Sequence, residues 1–166
     1  MQIISDAVLE QLADEVGQCL SQKHWRLACA ESCTGGWVAK CCTDIAGSSQ
    51  WFECGFVTYS NGSKQGLLKT STATLKTVGA VSEQTAKEMA EGALIQSGAD
   101  ISVAITGIAG PGGGTKDKPV GTVWFAWASK NTDTQTEHQQ FNGDRDSIRR
   151  QAVAFALQGI IKNARA

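Results

Sequence analysis

Histidine and tyrosine are almost missing from this chain: His24, His138 and Tyr59 are the only ones among 166 residues. Any catalytic nucleophile therefore has to find a base other than imidazole. Cys29, Cys33, Cys41, Cys42 and Cys54 show no C-x-x-C spacing, and two histidines do little to complete a ligand set, so no metal site is expected. The start, Met1-Gln2-Ile3-Ile4-Ser5-Asp6, has neither the basic opening nor the long apolar centre of a leader peptide. The thiols are accordingly read as reduced and mostly buried, in a cytoplasmic protein. No apolar run approaches the roughly 20 residues that span a bilayer, which argues against a membrane role. Neither sign of charge is in excess: 15 basic and 16 acidic residues leave a net charge of -1, no footprint for nucleic acid. One local basic pocket is still compatible with that balance. Pro111 and Pro119 are the only prolines, and no linker, repeat or low-complexity stretch interrupts the chain, so residues 1–166 are expected to form one domain.

What is present is a regular alternation of helical and extended patterns. Val8, Leu9, Leu12, Val16, Cys19 and Leu20 recur at helical spacing behind Ser5 or Asp6 as a cap. Arg26 to Ala30, Phe52 to Tyr59, Ile101 to Ile105, Val120 to Ala128 and the polar Gln135 to Phe141 read as strands. Between them, helices are predicted from Trp37 to Cys42, in short pieces after Lys64, from Ser82 to Gly98, and from Asp144 to Asn163. This order favours an α/β fold, a three-layer α/β/α sandwich, and the hairpin over 120–141 makes its sheet mixed.

Four segments carry hydroxyl, amine or guanidinium groups at places where chains turn. Ser32 lies between a strand and a helix. It reads either as a helix cap or as a nucleophile at the C-terminal edge of the sheet, with the amides of Thr34 and Gly35 available to an oxyanion. The G-x-S-x-G elbow is absent. Lys64 reads either as a solvated lysine or as the missing base. For the second role its pKa must fall from about 10.4 towards neutrality, worth roughly 4 kcal/mol, through burial or neighbouring cations. Tyr59 could orient Lys64 or relay a proton. The glycine-rich stretch from Thr106 and Gly107 through Gly112 to Lys116 matches neither phosphate-loop pattern: Gly113 stands where one needs lysine, and Thr115 where the other needs glycine. It reads as a flexible turn or as a substrate-binding wall. Arg145 opens the last helix against the helix dipole, so it is expected to hold an anion, whether a ligand or Asp144 or Asp146. Arg149 and Arg150 are expected to be solvated.

These segments together resemble the CinA C-terminal domain family, and most closely its stand-alone nicotinamide-nucleotide amidases. The resemblance rests on Ala-Glu-Ser-Cys-Thr-Gly-Gly (30–36), Ile-Ala-Gly-Ser-Ser (45–49), Gly-Phe-Val-Thr-Tyr-Ser-Asn (55–61), Gly-Ala-Val-Ser (79–82), Thr-Gly-Ile-Ala-Gly-Pro-Gly-Gly-Gly (106–114), Lys-Pro-Val-Gly-Thr-Val (118–123) and Gly-Asp-Arg (143–145). These segments keep their order over nearly the whole chain. The resemblance implies hydrolysis of the carboxamide of nicotinamide mononucleotide, with Ser32 as nucleophile, Lys64 as base and Tyr59 assisting. It also implies substrate binding by Thr34, Gly35, Thr106, Gly107, Gly112 and Arg145, and no metal or organic cofactor. The implied partner is a small nucleotide, with no nucleic acid or membrane, and a homo-oligomer, a dimer by preference. A nucleotide-binding module without turnover and an amidase for another small amide are the two alternatives.

Overall fold

The computed structural model describes residues 3–166. Helix α1 (Asp6–Lys23) leads into β1 (Leu27–Glu31), α2 (Trp37–Asp44) and, after a short 3-10 turn at Ser48–Gln50, β2 (Phe52–Val57). Three helices follow, α3 (Asn61–Leu68), α4 (Thr72–Thr77) and α5 (Glu83–Ser97). The chain then runs through β3 (Ile101–Gly107), β4 (Thr122–Ser129), β5 (Gln135–Gln140) and α6 (Arg145–Arg165). The ends are set by local chemistry. The side chains of Ser5, Ser60, Ser82 and Asp144 accept the first free amides of α1, α3, α5 and α6, and Gly98 closes α5 in a left-handed conformation. Among the described residues no helix is long and apolar enough to cross a membrane.

The sheet order is β2-β1-β3-β4-β5, with β2, β1 and β3 parallel, β4 antiparallel to β3, and β5 antiparallel to β4. Helices α1, α2 and α6 cover one face, and α5, with α3 and α4 packed against it, covers the other. This is the mixed three-layer sandwich read from the sequence. The strands differ from expectation by one to two residues at their ends. Glu31 in particular continues β1 although it carries a charge, because its carboxylate finds partners inside the fold.

Side-chain size sorts the two faces. Leu27, Ile101, Val103, Ile105, Val123, Phe125 and Trp127 pack towards α1 and α6, where Phe125 and Trp127 stack with ring centroids 5.8 Å apart. The opposite positions hold Ala30, Ala104, Ala126 and Ala128. Small residues there let α5 approach closely, and Ser102 Oγ donates to the Ala90 carbonyl of that helix at 2.6 Å. The same closeness governs α3, since a Cβ on Gly92 of α5 would lie inside contact distance of the Leu68 carbonyl.

The parallel strands β2, β1 and β3 end on one edge of the sheet. Their outgoing connections diverge there, α2 passing on the α1/α6 face and the α3–α5 group on the other. That divergence opens a crevice at the C-terminal ends of β1 and β3, where ligands of α/β folds collect. Gly92→Ala tests the packing that holds α3 beside the crevice. Alanine should gain about 1 kcal/mol of helix propensity, yet the overpacking should leave a net loss of about 2 kcal/mol. A lower denaturant midpoint at unchanged slope would bear this out, and a higher midpoint would refute it.

Candidate active site

Ser32 is the first residue after β1, and its N–H donates to the Ile105 carbonyl of β3 at 3.0 Å, which pins it at the mouth of the crevice. It does not cap α2. That place belongs to Gly36, which has no side chain to offer. Glu31 supplies the cap from the strand instead: its buried carboxylate accepts the N–H of Val38 at 2.9 Å and of Ala39 at 3.0 Å, and the Cys29 thiol at 3.5 Å. A carboxylate at a helix N-terminus is favoured by the dipole as well as by these bonds. The turn of residues 32–36 is thus clamped on both sides, with Gly35 N–H donating to the Ser32 carbonyl at 3.1 Å.

Lys64 comes from α3, whose start is locked by the reciprocal Ser60–Ser63 capping box. Its side chain runs inward rather than into solvent, and the residue is only 1% exposed. Nζ lies 2.9 Å from Ser32 Oγ, 2.7 Å from the Thr58 carbonyl and 3.4 Å from the Tyr59 carbonyl. No carboxylate pairs with it among the described residues. Burial lowers its pKa below the ordinary lysine value, with the nearby Cys33 thiol as a smaller opposing influence. In its neutral form the amine has two hydrogens and one lone pair: the two carbonyls can take the hydrogens, and the lone pair is then available to the Ser32 hydroxyl. Cys33, next to the serine, is no competing nucleophile, since burial pushes its thiol up to about 12.

These groups open into a cavity of about 290 Å³ lined by Ser32, Cys33, Tyr59, Lys64, Thr106, Gly107, Gly112, Arg145 and neighbouring loop residues. Seven of the nine residues named from the sequence are therefore brought together. Thr34 and Gly35 are not, and line a separate depression with Arg149. Because the Gly35 amide is already bonded within the turn, the amides of this turn left without an acceptor among the described residues are those of Cys33, Thr34 and Gly36, and of these residues only Cys33 lines the cavity. Thr106 faces the cavity, but its hydroxyl proton goes to the Ala80 carbonyl at 2.8 Å. The Tyr59 ring is 65% exposed, and its hydroxyl meets Arg145 at 3.3 Å, so only the backbone carbonyl of this residue reaches Lys64.

For Arg145 the two aspartate alternatives fall away. Asp144 is occupied in capping α6 through the Ser147 N–H at 2.9 Å, and Asp146 is paired with Arg150 at 2.8 Å. The Arg145 guanidinium instead donates to the Gly110 carbonyl at 2.6 Å and contacts Tyr59, an unneutralised cation on the cavity rim. Arg149 is not solvated either: it holds the carbonyls of Cys33 and Thr34. Sequence reasoning missed Arg149, Glu31 and the Thr58 carbonyl. A glutamate closing an otherwise apolar strand was the available signal for Glu31. No group of three or more His, Cys, Asp or Glu side chains among the described residues is placed to hold a metal.

A model of the CinA C-terminal domain matches residues 9–164. The chain belongs to the CinA C-terminal domain family. It is 54% identical over 159 residues to a protein of Enterobacter agglomerans described as nicotinamide-nucleotide amidohydrolase PncC, covering 96% of this chain and 97% of that one. The Escherichia coli K12 protein of the same description is 55% identical over 155 residues, covering 93% and 94%. Among solved structures, the competence/damage inducible protein CihA of Agrobacterium tumefaciens superposes with a TM-score of 0.93 at 42% identity, covering 98% of each chain. The motifs at 30–36, 55–61, 79–82, 106–114 and 143–145 supply the cavity together with Lys64.

The buried amine has a consequence for stability. The unfolded chain binds the Lys64 proton more tightly than the folded chain, so burial costs stability in full below the folded pKa. That cost fades as pH rises to the ordinary value of about 10.4. Lys64→Met removes this dependence. Calorimetric melting of both proteins from pH 7 to 10 should show the wild type gaining on the variant as pH rises; a constant gap would argue against it.

Proposed function

We propose that this protein hydrolyses the carboxamide of nicotinamide mononucleotide to nicotinic acid mononucleotide and ammonia, in the salvage of pyridine nucleotides. The substrate follows from the two amidohydrolase relatives, which match over nearly their full length. The observation that carries the chemistry is the buried Lys64 amine, 2.9 Å from Ser32 Oγ and paired with no carboxylate among the described residues.

Neutral Lys64 takes the proton of Ser32 as the hydroxyl oxygen attacks the amide carbon. The carbonyl oxygen becomes an oxyanion facing the free amide of Cys33, which lines the cavity. Lys64 then returns the proton to the departing nitrogen, and ammonia leaves the acyl-enzyme. Water, activated by the same amine, releases the acid. Tyr59 acts at the rim, where its hydroxyl steadies Arg145, rather than as the proton relay. Arg145, with the glycine loop at Gly107 and Gly112, holds the phosphate, and the Thr106 hydroxyl, its proton committed to Ala80, accepts from a ribose hydroxyl. An unneutralised guanidinium is suited to that anion. We assign the reaction to the cytoplasm, a compartment in keeping with six free thiols.

Ammonia release from nicotinamide mononucleotide by the purified protein tests this reading. Ser32→Ala and Lys64→Ala should each lower kcat by about 10³-fold or more with folding intact. In the wild type, kcat/KM should rise with pH through the lowered pKa of Lys64, because the neutral amine is the base. Nucleotide binding without turnover would replace the enzyme by a binding module. Arg145→Gln should raise KM for the mononucleotide by about tenfold or more while leaving weaker turnover of nicotinamide riboside nearly unchanged. Equal losses on both substrates would remove the phosphate role.

A further inference from the structure

Nicotinamide mononucleotide carries a fixed positive charge on its pyridinium ring, because the ring nitrogen is bonded to the ribose. That ring has to enter a cavity lined by Lys64 and Arg145 and by no carboxylate. The usual partner of an enclosed cation is therefore missing where the ring would lie. The rest of the lining is glycine, aliphatic side chains, hydroxyls and the Cys33 thiol, with a single aromatic residue, Tyr59.

Tyr59 is held at both ends. Its backbone carbonyl lies 3.4 Å from Lys64 Nζ and its hydroxyl 3.3 Å from Arg145 Nη2, so the side chain spans the wall from the reacting groups to the rim. A substrate with its carboxamide at Ser32 and its phosphate at Arg145 runs the same course, and its ring falls between those two points. The Tyr59 ring is largely exposed there. Among the described residues no aromatic ring packs against it and no cation lies over its face. The face of a tyrosine ring is electron-rich and attracts cations. It is the one side chain in the lining that offers a broad surface of the polarity a pyridinium requires.

We propose that the Tyr59 ring stacks on the pyridinium of the substrate and selects this cationic ring over its uncharged dihydropyridine form. This rests on the amidase reading above and adds to it the charge state of the substrate's ring. The phenol hydroxyl keeps its place at Arg145, so the tyrosine ring reads the pyridinium while the guanidinium reads the phosphate. The dihydropyridine nucleotide has the same carboxamide, ribose and phosphate, but no ring charge for Tyr59 to hold.

The test measures Kd for nicotinamide mononucleotide and for its dihydropyridine form, using the full chain in a Ser32→Ala background so that both nucleotides stay intact. Tyr59 is compared there with Tyr59→Phe and Tyr59→Leu. Leucine keeps apolar bulk and removes the π face, so it should cut the preference for the pyridinium, read as the ratio of the two Kd values, by about tenfold. Phenylalanine keeps the face and loses only the hydroxyl. It should weaken both nucleotides alike and leave the ratio within about threefold of that with Tyr59. The exposed position makes both substitutions compatible with folding. Two outcomes overturn the proposal. One is a leucine variant whose ratio stays within about threefold of that with Tyr59. The other is a phenylalanine variant that loses the preference as fully as leucine, which would give the selection to the hydroxyl and Arg145. A Tyr59 protein that binds neither nucleotide would instead overturn the substrate reading, and this proposal with it.

Discussion

Lys64 is an amine enclosed where a positive charge has no counter-ion among the described residues, and the site is organised around that constraint. A buried ammonium needs either a carboxylate or neutralisation, and the fold supplies carbonyls and a serine hydroxyl instead. The amine is therefore displaced towards its basic form and aimed at Ser32 by the acceptors that hold its hydrogens. Placing it there requires α3 to start at a fixed point, which the Ser60–Ser63 box ensures, and to sit tightly on α5, which Gly92 permits. The alanine-rich face of the sheet brings α5 close in turn. Packing far from the crevice thus sets a distance within it.

The acids around the crevice are all employed elsewhere. Glu31 serves the amides of α2, Asp144 those of α6, and Asp146 and Asp6 both pair with Arg150. What faces the cavity is Lys64 at its base and Arg145 at its rim, with no carboxylate among its lining residues. A chain with a net charge of -1 has in this way assembled a locally positive pocket, by spending its negative groups on helix ends and outward ion pairs. Such a pocket favours an anionic ligand, while burial is what disfavours protonation of the lysine.

Much of this was legible before any coordinates. The period of apolar residues marked α1, α5 and α6, and serine or aspartate before each run marked its start, because capping is a local transaction between a side chain and amides three residues away. The strands were found from short apolar runs, with ends misplaced by a residue or two where pairing rather than composition decides the limit. Ser32, Lys64 and Arg145 stood out because polar groups follow strand or helix boundaries there. The partners of those residues were not legible. Asp144 and Asp146 were as plausible for Arg145 as any ligand, and Arg149 looked like an ordinary exposed cation, because the carbonyls it holds are more than a hundred residues away in the chain.

The sequence by itself determined the elements, their order, the mixed α/β class and the chemical types present, since these depend on spacing within about one turn or one strand. It also carried the family resemblance through motifs in a fixed order. Only the tertiary structure decided that Lys64 is buried, that its nitrogen meets Ser32, that the Tyr59 hydroxyl meets Arg145 and that Arg149 grips the turn after Ser32. Each of these depends on where separate elements come to rest against one another. A side chain's protonation and direction follow from the groups that surround it in space, and chain spacing does not specify those.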